Sequence, residues 1–323
     1  MRRRPRRNRS SIAIRSMIEE TQLTSANLIY PLFIEDGQGI KKEIKSLPSN
    51  YRWSLDTLLP EMEECIKLGI DKFVLFPAVE ERLKDTVASY SYASDNFYLD
   101  SIRKIKDNFP QISLMSDVAM DPYSSDGHDG LVKNGTVLND ETLPILAKMS
   151  IAQAQAGIDI LGPSDMMDGR IGYLRDTLDQ EGFTQTSIMS YTAKYASAFY
   201  GPFRDALDSA PKSGNKKSYQ MNPANKNEAL IEAELDYQEG ADMMMVKPAT
   251  CYLDIIHLLK ENFDIPITAY NVSGECAMIY AASANGWLDY ESSMAEMLLS
   301  IRRAGADGIL TYFAKDFAKF SKG

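Results

Sequence analysis

The stretch Met243-Met244-Met245-Val246-Lys247-Pro248-Ala249 is apolar through Val246, ends in a lysine and is closed at once by proline. A short apolar run bounded by a turn residue reads as a buried strand, because proline has no backbone donor with which to extend the ladder. Working outward, seven more runs of this kind lie at Leu28–Phe33, Phe73–Pro77, Ile112–Val118, Ile158–Gly162, Thr186–Tyr191, Ile267–Val272 and Ile309–Phe313. Helical patterns separate most of them, at Leu143–Ala156, Leu230–Glu239, Leu253–Asn262 and Met294–Arg303, several closing on Gly157, Gly240 or Gly305. Strands that alternate with helices run parallel and are joined by crossovers. Eight such units favour an α/β chain folded as a (β/α)8 TIM barrel over an open doubly wound sheet, which more often carries a Gly-rich phosphate loop after its first strand. No GxGxxG or P-loop is present.

Barrel enzymes draw their chemistry from the C-terminal ends of the strands. The polar residues at those ends are Asp117, Ser164, Asp165, Lys194, Lys247, Ser273 and Tyr312. An amine at the end of a dry strand is hard to keep charged, so its pKa falls and a nucleophile is left. Lys247 is the first candidate for covalent catalysis. Lys194 stands just past the apolar run Ile188-Met189-Ser190-Tyr191, and two such lysines depress one another. Amines of this type condense with ketones to give iminium ions that act as electron sinks. Arg204 and Lys216 suit one substrate carboxylate, and Ser273 with Tyr312 another, so small anionic keto compounds are the expected substrates.

From about Gly201 to Asn227 the chain is polar, holds Pro202, Pro211, Gly214 and Pro223, and shows no helical periodicity. A loop of this length in a compact domain reads as a lid, here cationic through Arg204, Lys216 and Lys217. The turn after the third strand clusters Asp117, Asp121, Asp126 and Asp129 with His128, an oxygen-rich set that favours hard cations such as Mg2+ over zinc, or is a solvated acidic loop. Glu232 and Asp236, one helical turn apart, repel mildly unless a cation or solvent intervenes. His257, in an amphipathic stretch, reads as structural.

The 323 residues, 44% of them hydrophobic, suffice for one barrel-sized domain, and no apolar run approaches the roughly 20 residues of a membrane helix. Three scattered cysteines, Cys65, Cys251 and Cys276, without CxxC spacing, suit a reducing compartment. The formal charge of −10 argues against nucleic acid as a partner, yet the first fifteen residues carry seven arginines and no acid. This basic segment reads as an arm that grips an acidic neighbouring subunit in preference to an RNA-binding tail. Composition leaves an organelle transit peptide open, but no apolar segment follows that would make a secretory signal.

Several long motifs, in order, resemble porphobilinogen synthase, the 5-aminolaevulinate dehydratase family. They are Gly162-Pro163-Ser164-Asp165-Met166-Met167-Asp168-Gly169-Arg170, then Tyr195-Ala196-Ser197-Ala198-Phe199-Tyr200-Gly201-Pro202-Phe203-Arg204-Asp205-Ala206, then Met245-Val246-Lys247-Pro248-Ala249 and Val272-Ser273-Gly274-Glu275. The resemblance runs from about Leu28 to the C terminus. It implies a barrel at residues 27–323 with a lid at about 201–227, and an N-terminal arm at residues 1–26 that makes intersubunit contacts in a homo-octamer. It implies a hydro-lyase that condenses two molecules of 5-aminolaevulinate into porphobilinogen through lysine Schiff bases, an early common step of haem and chlorophyll biosynthesis. Lys247 and Lys194 match the two imine-forming lysines, and Asp117 an acid that assists proton transfer. Ser273 and Tyr312 match the hydroxyls on one substrate carboxylate; Arg204, Lys216 and Gln220 match the groups on the other.

The chain also departs from part of that family. Where zinc-dependent members carry three cysteines it has Ala119, Asp121 and Asp129, so no catalytic zinc is expected, and the site is left with Mg2+, another hard cation or no metal. Glu232 matches a carboxylate that holds an allosteric Mg2+, which makes a stimulatory Mg2+ the expected cofactor. Gly162 stands where alanine is usual, and Cys276 where Tyr or Phe is common. The expected location is cytoplasmic, or an organelle or plastid stroma if the basic N terminus is a remnant of targeting. Two readings compete: a one-lysine aldolase-type lyase that needs Lys247 alone, and a barrel kept for binding or assembly through its arginine arm.

Overall fold

The computed structural model describes residues 1–207, 212 and 214–322. The chain begins with a 3-10 turn, Pro5–Arg9, and α1 (Ile12–Met17). Every residue from 1 to 20 is exposed except the half-buried Ile14, so this segment takes little part in the core. There follow β1 (Leu28–Glu35), β2 (Lys41–Glu43), β3 (Tyr51–Trp53), α2 (Leu55–Lys67), β4 (Lys72–Ala78), α3 (Phe97–Asn108), β5 (Ser113–Val118), β6 (Leu131–Lys133), β7 (Thr136–Leu138), α4 (Asn139–Gln155), β8 (Ile160–Pro163) and α5 (Arg170–Gln180). The second half adds β9 (Ser187–Lys194), α6 (Gly201–Leu207), α7 (Glu228–Gln238), β10 (Met243–Lys247), α8 (Leu253–Asn262), β11 (Ile267–Asn271), α9 (Ser273–Ala284), α10 (Tyr290–Ala304), β12 (Gly308–Thr311) and α11 (Ala314–Phe320).

Strands β1, β4, β5, β8, β9, β10, β11 and β12 pair in that order, all parallel, and β12 returns to β1 through Leu28 opposite Ile309 and Ile29 opposite Leu310. This is the expected closed (β/α)8 barrel, and all eight strand runs read from the sequence lie on its staves. The strands read as apolar runs without alternation because helices cover the outer face while side chains fill the interior.

Four short strands go beyond the sequence reading. β2 and β3 form an antiparallel ribbon joined to the upper half of β1, and β6 and β7 form a hairpin. Three-residue strands such as the fully exposed Lys41-Lys42-Glu43 leave no alternation to detect. The stretch from Gly201 was read as lacking helical periodicity, yet its first seven residues form α6, with Ala206 and Leu207 buried. Fewer than two turns are too short for a 3.6-residue period to register. Of the expected lid, residues 208–211 and 213 lie outside the described residues. His257 sits on the exposed side of α8.

Two helices are fastened to β9 by a buried charge cluster. Arg170, at the start of α5, donates from Nη1 to Asp236 Oδ1 on α7 at 2.9 Å and from Nη2 to Ser190 Oγ on β9 at 3.0 Å, while Ser190 Oγ donates to Asp236 Oδ2 at 2.5 Å. Arg170 and Asp236 are both buried. The cation that relieves the expected Glu232–Asp236 repulsion is therefore the Arg170 guanidinium. Removing one partner of such a pair strands the other charge in a dry interior. Asp236→Ala should lower stability by about 3–5 kcal/mol, measured by urea unfolding, whereas replacing Arg170 and Asp236 together by apolar residues should recover much of that loss.

Candidate active site

Paired strands β9 and β10 bring the two lysines side by side. The register runs Met243 opposite Met189, Met244 opposite Ser190, then Val246 opposite Ala193 and Lys247 opposite Lys194. Between the second and third pairs β10 advances two residues and β9 three, which is a β-bulge. Strict alternation would send Tyr191 and Lys194 to opposite faces. The extra residue turns both into the barrel, so that the Tyr191 ring centre lies 5.8 Å from Lys194 Nζ and 5.1 Å from Lys247 Nζ. Ser190, facing the other way, joins the Arg170 cluster outside.

Lys247 is buried in an aromatic cage, with its Nζ 4.6 Å from the ring centre of Tyr270, 5.0 Å from Phe203 and 5.3 Å from Tyr200, besides Tyr191. Burial, and next the neighbouring Lys194 charge, push its ammonium down to about 7, against the opposing pull of Asp117, Asp121 and Asp129. Glu275 steadies the segment that follows Lys247. Its buried carboxylate accepts from Thr250 N at 2.7 Å, Val272 N at 2.9 Å and Asn271 Nδ2 at 3.1 Å, which ties the loop after β10 to the end of β11. Lys194 Nζ donates to the Ser164 carbonyl and lies 3.8 Å from Asp129 Oδ1.

Asp117, at the end of β5, is pushed up to about 7 by burial and then by Asp121, while Lys194 and the Ser164 hydroxyl oppose the shift. Its Oδ1 has no hydrogen-bond partner among the described residues. An acid and an amine that both change charge near neutral pH thus meet at one barrel mouth, the pairing that acid–base catalysis of amine addition requires.

Ser273, at the first turn of α9, is fully buried and accepts a hydrogen bond from Phe203 N at 3.0 Å; Tyr312 and Tyr270 hydroxyls share one at 2.8 Å. The hydroxyl clamp therefore stands beside the Lys247 cage. From the lid segment, Lys216 Nζ lies 3.0 Å from Asp121 Oδ2 and 2.9 Å from Asp129 Oδ2, Tyr219 Oη meets His128 Nδ1 at 3.1 Å, and Met221 N donates to the Lys194 carbonyl at 3.0 Å. The two carboxylates hold Lys216 charged to well above its usual pKa, and Lys194 with Lys216 holds Asp129 ionised against burial. Gln220 is buried nearby and Arg204 half-buried on α6. All eight expected catalytic and substrate-binding residues thus belong to the barrel mouth or the segment laid over it. The aromatic cage and the Arg170 cluster were not anticipated; the one sequence signal for Tyr191 was its place at the end of the apolar run that leads to Lys194.

Metal ligation divides into two places. Asp121 and Asp129 offer oxygen and no sulfur, and both are ion-paired with Lys216, so this donor set does not fit a catalytic zinc. Glu232 borders a separate cavity of about 570 Å³, together with Asp168 and Glu228. Burial, then Asp236, Asp168 and Glu228, push its carboxyl up to about 7 although Arg170 opposes, so a cation there would be welcomed electrostatically. Among the described residues no three His, Cys, Asp or Glu side chains form a metal cage. One carboxylate with water suits Mg2+, which keeps much of its hydration.

The lysine geometry predicts a pH signature. Lys247 should react with an amine-selective acylating reagent at a rate that rises through pH 7, where exposed lysines, with pKa about 10.4, react slowly. Lys194→Met should shift that rise to higher pH, because removing a like charge makes protonation of Lys247 easier. Peptide mapping after timed labelling checks both; an unshifted profile in the variant would deny the coupling.

Residues 2–320 match the family model described as delta-aminolevulinic acid dehydratase. The chain is 53% identical over 312 residues to the delta-aminolevulinic acid dehydratase of Chlamydia pneumoniae, covering 97% of this chain and 94% of that protein. It is 53% identical over 320 residues to the chloroplastic enzyme of Physcomitrium patens, covering 98% of this chain and 74% of that one. The crystal structure of the Toxoplasma gondii enzyme, in complex with its reaction product porphobilinogen, superposes with a TM-score of 0.97 at 48% identity, over 99% of this chain and 92% of that one. With its barrel, its paired lysines and these matches along nearly its whole length, the chain belongs to the delta-aminolevulinic acid dehydratase family.

Proposed function

We infer that the chain is a porphobilinogen synthase, a hydro-lyase that joins two molecules of 5-aminolaevulinate with loss of two waters, and that Lys247 and Lys194 are its imine-forming residues. The observation that carries the residue assignment is the buried Lys247 amine, set beside Lys194 across one register step and pushed down to about 7. A neutral Lys247 attacks the substrate ketone to give a carbinolamine. Asp117, still partly protonated at neutral pH, supplies the proton with which hydroxide leaves as water, and the iminium that results acidifies the neighbouring carbon. Lys194 forms the second imine.

Ser273 and Tyr312 take the carboxylate of the substrate on Lys247, and Arg204, Lys216 and Gln220 that of the other. An ammonium has three donors, so Lys216, which donates to Asp121 Oδ2 and is ion-paired with Asp129, retains donor capacity for substrate. Glu232 holds a stimulatory Mg2+ that neutralises the carboxylates around it and takes no part in the chemistry. Residues 1–26 act as an intersubunit arm in a homo-octamer, a role that suits their exposure and seven arginines. Among the described residues no helix is long and apolar enough to cross a membrane, and we place the enzyme in the cytoplasm or an organelle stroma.

Two outcomes test this reading. Lys247→Ala should reduce porphobilinogen formation to below ~0.1% of wild type, as loss of a covalent nucleophile does, and Lys194→Ala should do likewise; substantial turnover in Lys194→Ala alone would favour a one-lysine lyase. Enzyme treated with EDTA should regain its lost activity with Mg2+, and Glu232→Ala should keep basal turnover but lose that response. Recovery with Zn2+ and not Mg2+ would overturn the metal assignment.

A further inference from the structure

The phenol of Tyr191 is fully buried, and its oxygen has no hydrogen-bond partner among the described residues. A buried hydroxyl without a partner costs stability, and phenylalanine would fill the same space without that cost. The ring stands between the two lysine amines, at 5.1 Å from Lys247 Nζ and 5.8 Å from Lys194 Nζ. Among its side-chain neighbours the Asp117 charge acts on it most strongly, ahead of Tyr312, Tyr98 and Tyr200. Asp117 Oδ1 is likewise without a partner. Two unpaired polar atoms, one a donor, therefore lie within electrostatic reach of one another beside the paired lysines.

The floor beneath the ring accounts for Gly162. A Cβ there would come within 2.3 Å of Met115 Cε, 2.8 Å of the Ser116 carbonyl oxygen and 3.2 Å of Tyr191 Cε2. Glycine leaves room for Met115 under Tyr191, and the bulge in β9 aims the ring inward, so both the packing and the backbone fix its position.

Resting on the lysine assignment above, we propose that Tyr191 is a further catalytic residue, whose phenol donates a hydrogen bond to the carbinolamine oxygen expelled at Lys247. In that step the C–O bond breaks, the Lys247 nitrogen lone pair closes the C=N bond, and the Asp117 proton passes to the oxygen, which departs as water. The phenol keeps its own proton and stabilises charge on the departing oxygen. A donor preorganised toward developing charge, and unpaired until that charge appears, acts on the transition state more than on bound substrate.

The test is Tyr191→Phe, with kcat, KM and Tm measured beside wild type and Lys247→Ala. The expected result is a kcat lower by on the order of 100-fold, a KM within about twofold of wild type, and a Tm equal to or above wild type, since the unpaired hydroxyl is gone. A wild-type kcat, a change confined to KM, or a kcat loss accompanied by a lower Tm would overturn the proposal. Turnover in Lys247→Ala would instead sink the lysine assignment on which it rests, so the two failures are distinguishable.

Discussion

The interaction on which the site depends is the confinement of the Lys247 amine. Tyr270, Phe203, Tyr191 and Tyr200 surround it and exclude water, while Lys194 supplies a like charge from the next strand. Aromatic faces attract a cation, so the cage alone would favour the charged ammonium. Desolvation and the second lysine outweigh that attraction and move the amine into the neutral range. Asp117 is moved in the opposite direction by the same dry surroundings. One environment thus prepares both a nucleophile and an acid.

That environment is maintained from outside the barrel. Arg170, Asp236 and Ser190 lock α5 and α7 to β9 on its outer face, and Arg170 also reaches the carbonyl of Tyr191 at 3.3 Å. The bulge lies between these outward anchors and the inward Tyr191 and Lys194. Glu275 performs the corresponding task behind Lys247, joining the β10 loop to β11. Above the site, Lys216 draws the lid segment onto Asp121 and Asp129, so these two carboxylates serve to hold a lysine.

Much of this was legible in the sequence. The eight apolar runs lie on the eight staves because buried parallel strands show themselves by composition, and proline after Lys247 marked a strand end. Both lysines, the hydroxyl clamp and Asp117 could be named because strand ends in a barrel share one mouth. The bulge was not legible: it depends on how β9 is matched to β10, which no single strand records. The Arg170–Asp236 pair spans 66 positions, so local spacing suggested only repulsion between Glu232 and Asp236. The short helix α6 and the three-residue strands lacked the length on which periodicity depends.

The measurement that tests the central claim most directly is borohydride trapping in the presence of 5-aminolaevulinate, followed by peptide mapping by mass spectrometry. A confined, neutral Lys247 predicts a reduced substrate adduct on that residue at neutral pH, with or without a second on Lys194. Folded protein that forms no adduct on either lysine would contradict the account.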